Sequence, residues 1–447
     1  MSSHSKSGAI IGLDSSMGFN HAAVMFGGHH AAKRRSRPSL QGGERRRRSP
    51  SPSSKRANGR HPDADVDVEP VDMTPPEERL TNHAVRCVGY EEAHDFDNLV
   101  LGRTHCLALA QLCFGKLHPE VTLAHCRLAH AYLRKGLFPQ AEGHAQAALE
   151  RLDQCDHGTS ADPIRFSALA TLGQAYVGQR QFAKAEPHLN KATLLPAPTP
   201  AEKCDLLVAI AAVQTNKRFY GDAATTLETA VGEKLKSVSE THPDMLAMFL
   251  ALGRVYLKLA SSLNDAGGAL VGKAVATLTR AVNVGVANEV VYRQEMGDAL
   301  FHLGVALAET DSPTASIDNF ERALKIYRNL HGRQSSQVAR TLRQIASLFV
   351  KLRNVDSAIQ YLAMTIKAES RLHGPNSLQV ADLIKTRGDV ETLGSRFQVA
   401  VASFQEAETI YETLQGSESA QAAECRERIL RTRELQASHA AAADKQH

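Results

Sequence analysis

Small and apolar residues return along this chain in a fixed order, and the order repeats about every 42 residues. Two copies are complete. One runs Leu128, Ala129 and Tyr132, then Gly136, Phe138, Ala141 and Ala148; the other runs Leu172, Gly173 and Tyr176, then Phe182, Ala185 and Ala192. Spacings of three, four and seven put residues on one face of a helix. Each copy holds two such faces with a short turn between them, so it predicts two antiparallel helices, with small residues where they cross. Taking one small position of the second helix as a ruler, the copies fall at Leu99, Ala141, Ala185, Ala223, Ala274, Ser316, Ala358 and Ala400. The gaps are 42, 44, 38, 51, 42, 42 and 42 residues. Four equal gaps exclude a featureless helical chain.

The joints between copies repeat as well: GKLHPEV at 115–121, LHGRQSSQVA at 330–339, LHGPNSLQVA at 372–381 and LQGSESAQAA at 414–423. Gly closes one helix in the left-handed conformation, and Pro or Ser opens the next. This order of residues resembles the tetratricopeptide repeat (TPR), whose usual period of about 34 residues is here exceeded. The fold class expected is all-α: a right-handed TPR α-solenoid of about eight helix-turn-helix repeats plus a C-terminal capping helix, with a disordered N-terminal tail. The expected divisions are a tail over 1–78, the solenoid over 79–415, a capping helix over 416–438 and a disordered end over 439–447.

The long period with G-x-x-H-P-type joints resembles kinesin light chain repeats. The stretch from Cys87 to Leu152 resembles the tetratricopeptide repeat protein 23 family: a Phe-Gly turn in CFG at 113–115, then LHPEVTLAHCRLAHAYLRKGL and QAEGHAQAALERL. The likeness in repeat layout extends over about 80–435. It implies a non-enzymatic scaffold at the base of primary cilia, linked to Hedgehog-type signalling through a membrane-tethered complex. The basic tail before residue 75 has no counterpart in that family.

Charge changes the picture mainly at the N-terminus. Residues 33–60 carry eleven Lys and Arg against Glu44 alone, and residues 61–78 carry seven acids and no base. The net charge of +4 therefore averages two opposed tail segments over a nearly neutral body. A tail so rich in Arg, Pro and Ser is expected to be disordered. Ser49 and Ser51 precede prolines beside four arginines, where phosphate would cancel positive charge. Nuclear import, an anionic-surface or microtubule tether, and a phospho-switch are the readings for it, next to an unselective solvated tail. The seven cysteines are scattered and form no CxxC, which fits a reduced, intracellular setting. No apolar run is expected to approach the roughly 20 residues of a membrane span, and the N-terminal stretch broken by Asp14, Asn20 and His21 makes a poor signal peptide.

Catalytic and cofactor chemistry finds little support. Gly267 through Ala274 nearly spells a phosphate loop, yet Ala274 stands where the magnesium-binding hydroxyl should be, and the segment before it reads as helix. It reads instead as a Gly-rich insertion in one joint. The twenty histidines include no HExxH, so neither metal nor cofactor is expected. A body without a basic face or aromatic platforms is not expected to bind nucleic acid.

In TPR solenoids the first helices line a groove. Its exposed positions here include Arg134, Arg254, Lys258, Arg340, Arg343, Lys351 and Lys385. These define a candidate surface for an acidic or amphipathic segment of a partner protein, bound through charge-assisted bonds. Cys126 with His130, and Ala170 with Gln174, occupy the places where a chaperone-type carboxylate clamp would start. The competing reading is a kinesin-light-chain-like adaptor, which wants a coiled-coil segment that residues 1–80 do not show.

Overall fold

The computed structural model describes residues 74–154, 162–264, 268–288, 293–310 and 312–444. The tail with Ser49 and Ser51 lies outside the described residues, as do Cys155 and Gly267. The chain divides into two compact units, ending and beginning at Gln181 and Phe182. That boundary falls within the third repeat read from the sequence.

The first unit holds α1 (Pro76–Glu92), α2 (Phe96–Phe114), α3 (Pro119–Arg134), α4 (Phe138–Gln154) and α5 (Asp162–Gly178). The second opens with α6 (Phe182–Thr193), a twelve-residue helix with Pro187 inside it. Four hairpins follow: α7 (Pro200–Asn216) with α8 (Tyr220–Leu235), α9 (Asp244–Leu263) with α10 (Ala269–Ala287), α11 (Arg293–Ala308) with α12 (Pro313–His331), and α13 (Ser336–Lys351) with α14 (Val355–His373). The last hairpin, α15 (Leu378–Leu393) with α16 (Phe397–Gln415), is covered by α17 (Ala420–Asp444). The last helix thus starts at Ala420 and runs on through the segment 439–444.

All eight ruler positions are buried, Leu99 and Ser316 among them, and so are the small residues seven further on, from Cys106 to Ala407. The reason is geometric. A Cβ placed on Gly304 would lie 2.8 Å from the Phe320 ring, so α11 and α12 touch through a hydrogen where any side chain would collide. Ser316 adds a bond to this crossing by donating to the Gly304 carbonyl at 2.7 Å.

The turns inside hairpins share one device. In the seventh repeat Arg353 is left-handed (φ 56°), and the Asn354 N–H reaches back to the Phe349 carbonyl at 3.0 Å. This is a Schellman-type closure, which favours Gly at the left-handed position; the second repeat has Gly136 there. Between hairpins, Gly332, Gly374 and Gly416 are left-handed, and Ser335 accepts from the Val338 N–H to cap α13.

By length and mean hydropathy α9 and α10 are both apolar enough to cross a membrane, against the sequence expectation that no stretch would approach this. About half of each apolar window is buried, 56% and 44%, so the apolar residues serve the hairpin's own core. Leu278 of α10, for example, fills the space over Gly253 of α9.

In the first unit a histidine pair joins α3 to α4. Nδ1 of His125 lies 3.1 Å from Nδ1 of His144, and Tyr132 stacks on the His144 ring. One ring's N–H must donate to the other's lone pair. Burial, then Arg151, holds His125 down at about 4 and lowers His144 as well. Within the first hairpin, Cys106 of α2 is pushed up to about 11 by burial and by the adjacent Cys87 thiol of α1.

Two measurements check these packing arguments. Gly304→Ala lowers stability by about 1–3 kcal/mol through overpacking, although Ala outranks Gly in an open helix. Arg353→Gly raises it by about 1 kcal/mol by relieving the left-handed strain. Denaturant titrations of the full chain read both signs: a gain for Gly304→Ala would refute the crossing argument, and a loss for Arg353→Gly the turn argument. The histidine pair sets an acid dependence. The unfolded chain takes up protons near pH 6.5 while folded His125 refuses them down to about 4. Stability therefore falls as pH drops from 7 towards 5, and His125→Leu/His144→Phe flattens that slope. A slope equal to wild type in the double variant would assign the acid loss elsewhere.

Candidate functional site

Within the second unit α9 packs against α11, and α11 against α13, so the first helices of three hairpins lie side by side. Four residues on them influence one another electrostatically. Arg254 and Lys258 stand one turn apart on α9, His302 is on α11 and Arg340 on α13. Burial drives the His302 pKa well below its ordinary value, and the charges of Arg254, Arg340 and Lys258 add to it. Burial also lowers Arg254 and Lys258, and Arg340 and Arg254 respectively add to it by repulsion.

The guanidinium of Arg340 lies 4.0 Å above the Phe301 ring centroid, a stacking that fixes its plane. Its Nε is buried and has no hydrogen-bond partner. The carboxylate that raises Arg254 is Asp298, which also accepts the Tyr327 hydroxyl at 2.6 Å, and Tyr327 in turn bonds to Arg340. Glu295, one turn before Asp298, is raised by its own burial and by Asp298. Lys258 lies over the Tyr220 ring at 5.8 Å, close to the 6 Å reach of a cation–π contact.

The repeat period explains how this cluster arose. Asp298, Arg340 and Asp382 are successive equivalents, each 42 residues apart, as are Tyr327, Glu369 and Tyr411. In the sixth and eighth repeats the tyrosine hydroxyl donates to the aspartate. The seventh repeat replaces both partners, with Arg340 for Asp and Glu369 for Tyr. These two do not pair with each other. Glu369 instead accepts from Arg343 at 2.5 Å and lies 3.4 Å from His373.

The seven sequence-derived groove positions therefore divide. Arg254, Lys258 and Arg340 come together. Arg343 is held by Glu369, and Lys385 by Glu424 at 2.8 Å. Lys351 is exposed at the end of α13, and Arg134, in the first unit, lies over the Phe96 ring. Sequence reasoning missed His302, Asp298 and Tyr327; comparing equivalent positions at the 42-residue spacing would have found the last two. Ala274 of the phosphate-loop look-alike is fully buried at its helix crossing, and helix α9 precedes it. Among the described residues no group of three or more His, Cys, Asp or Glu is gathered as a metal requires.

Glu369 is only 7% exposed, and Arg343 is its closest ion-pair partner at 2.5 Å. Arg343→Ala therefore costs about 1–3 kcal/mol by leaving a buried carboxylate short of a partner. Arg343→Ala/Glu369→Gln recovers most of it, and denaturant midpoints of the two variants decide. An exposed-pair result, near zero for both, would refute the assignment.

A family model described as tetratricopeptide repeat matches residues 295–368, which span α11 to α14. Tetratricopeptide repeat protein 23 of Bos taurus is 32% identical over 127 residues, covering 27% of this chain and 28% of that protein. The Homo sapiens protein of the same name gives the same identity and coverage. The chain thus matches little more than a quarter of the length of these curated relatives. Among solved structures, the apo form of RapI covers 80% of this chain and 97% of its own at a TM-score of 0.50 and 10% identity, a likeness of fold. With its helices in consecutive hairpins, its small-residue crossings and the matching repeat model over α11 to α14, the chain is a solenoid of tetratricopeptide-type repeats, similar over 127 residues to tetratricopeptide repeat protein 23.

Proposed function

We propose that this protein is a non-enzymatic scaffold that holds a segment of a partner protein against the first-helix face of its second unit. The observation that carries the reading is the side-by-side placement of the first helices α9, α11 and α13, which offers one face built from three successive repeats. TPR arrays present such faces to peptides and helices. The family resemblance supports the finer reading: a place in a complex at the ciliary base, tied to Hedgehog-type signalling. On this reading the protein has no small-molecule substrate, needs no cofactor, does not insert into membranes and leaves nucleic acid alone. The Arg-rich tail supplies a route to the nucleus or to an anionic surface, with Ser49 and Ser51 as phosphorylation sites.

A kinesin-light-chain-like cargo or microtubule adaptor is the second reading, favoured by the 42-residue period and the joint sequence. Proximity labelling with the tagged full chain in ciliated cells of its own source separates the two. Ciliary-base neighbours are expected. Motor and microtubule neighbours would transfer the protein to the adaptor reading, and a labelling pattern equal to that of the untagged ligase would refute both.

A further inference from the structure

Helix α2 of the first hairpin carries apolar residues around its whole circumference, and a helix of that kind is normally buried. One side of it is: Leu107 and Ala110 pack with Val121, Ala124 and Leu128 of α3. On the side turned away from α3, Leu101, Ala108 and Leu112 recur seven and four residues apart as one stripe. There Leu101 is 54% and Leu112 71% exposed. The ring of His105 meets that of His83 edge-on, with centroids 5.2 Å apart, and this contact marks a seam between α2 and α1. Beyond the seam α1 carries Arg79, Asn82 and Arg86, three and four residues apart, with no acid in that stripe. Helix α17 covers the last hairpin; among the described residues no element does the same for the first.

The chain itself supplies a complement, in residues that lie outside the described ones. Residues 61–73 read HPDADVDVEPVDM, in which Ala64, Val66 and Val68 alternate with Asp63, Asp65, Asp67 and Glu69. An extended backbone turns such a sequence into an apolar side and a carboxylate side. The segment also joins α1 at the right place. Sγ of Cys87 lies 2.7 Å from where a Cβ on Gly102 would be, which sets the middles of the two antiparallel helices level. Leu80, just past the first turn of α1, packs against the cluster that holds Leu107 and Ala110. By that register the start of α1 stands beside the last turn of α2, where Leu112 is. The stripe from Leu101 to Leu112 is about 17 Å long. Eight extended residues span about 26 Å, so the segment covers the stripe without any linker.

We propose that residues 63–73 fold back into the seam between α1 and α2 as an N-terminal cap of the solenoid. Val66 and Val68 turn towards Leu101, Ala108 and Leu112, and the carboxylates of Asp65, Asp67 and Glu69 turn towards Arg79 and Arg86. The terminal repeats of a solenoid need an outer face suited to water, and the segment gives the first hairpin one as α17 does the last. A second copy of the chain fits less well, because pairing two such faces sets the same arginines against each other. A separate protein would have to displace a segment whose direct joining to α1 gives it an effective concentration on the order of millimolar. The cap belongs to the first unit and stands apart from the partner-binding face of the second.

The test puts the photocrosslinking residue p-benzoylphenylalanine in place of Leu112 in the full chain, where exposure leaves room for it. Irradiation and peptide mapping are expected to join position 112 to residues 63–73 of the same chain. The control puts the same residue in place of Val88, which is 52% exposed. Val88 lies two residues past Arg86 and so on nearly the opposite side of α1, and it should give little of that product. Arg79→Glu/Arg86→Glu should cut the yield from position 112 several-fold, and adding Asp63→Lys/Asp65→Lys/Asp67→Lys/Glu69→Lys should bring it back. Equal yields from the two positions, or no product with residues 63–73, would overturn the cap. A product of twice the chain mass would replace it with the pairing of two copies, and a crosslink to another protein in cell extract with an external partner. A yield indifferent to the charge reversal would overturn the placement in the seam.

Discussion

The constraint on which the rest of this structure depends is the close approach of two helix backbones at each hairpin crossing. At Gly304 the Phe320 ring sits where a Cβ would be, and the same arrangement returns at Gly388 beneath Phe404. A helix pair packed this tightly has little freedom in its crossing angle, because side chains that could act as spacers are absent. Repeating the crossing every 42 residues then fixes where the first helix of each hairpin lies relative to the next. The placement of α9, α11 and α13 side by side follows from those contacts. Without them Arg254 and Arg340, which are 86 positions apart in the chain, would have no reason to share a surface.

The fold was legible because its determinants are local and repeated. Ala358 and Ala400 identify their crossings by spacing alone, and Gly374 and Gly416 mark joints that the structure closes with left-handed backbone. Positions of charge were less legible, for a physical reason. Whether Arg343 is free depends on Glu369, 26 residues on, and whether Lys385 is free depends on Glu424, 39 residues on. Helical periodicity tells which face a side chain occupies; it does not tell which carboxylate of the packed neighbour reaches it. His302 shows the same limit. It falls between the groove positions that periodicity selects, and only the neighbouring helices bring three cations to its ring. The apolar character of α9 and α10 misled in the opposite direction, since a core hairpin and a membrane span pass the same test of length and hydropathy.

Division into two units adds a further distinction. The first unit is tied by apolar clusters and by a neutral histidine pair, and its groove candidate, Arg134, lies over an aromatic ring. The second unit carries the run of three equal 42-residue gaps, the Asp–Tyr bonds and the cations of α9 and α13. Regularity and its deliberate exception therefore occur in the same stretch. That matters for inference, because a departure is meaningful only against a repeated background: Arg340 can be read as a substitution for a structural aspartate only since Asp298 and Asp382 flank it at equal spacing.

Ion pairs across these helices do two different jobs. Arg343 with Glu369 satisfies a carboxylate that packing has buried, whereas Lys385 with Glu424 satisfies an ammonium held largely away from water by a carboxylate that is itself well exposed. Position 340 solves its burial in another way. Where the sixth and eighth repeats place an aspartate that accepts a tyrosine hydroxyl, the seventh places Arg340, whose guanidinium lies over the Phe301 ring and bonds to Tyr327 of the preceding repeat. The contact that closes one hairpin on itself is thus exchanged for one that ties α13 to the hairpin before it.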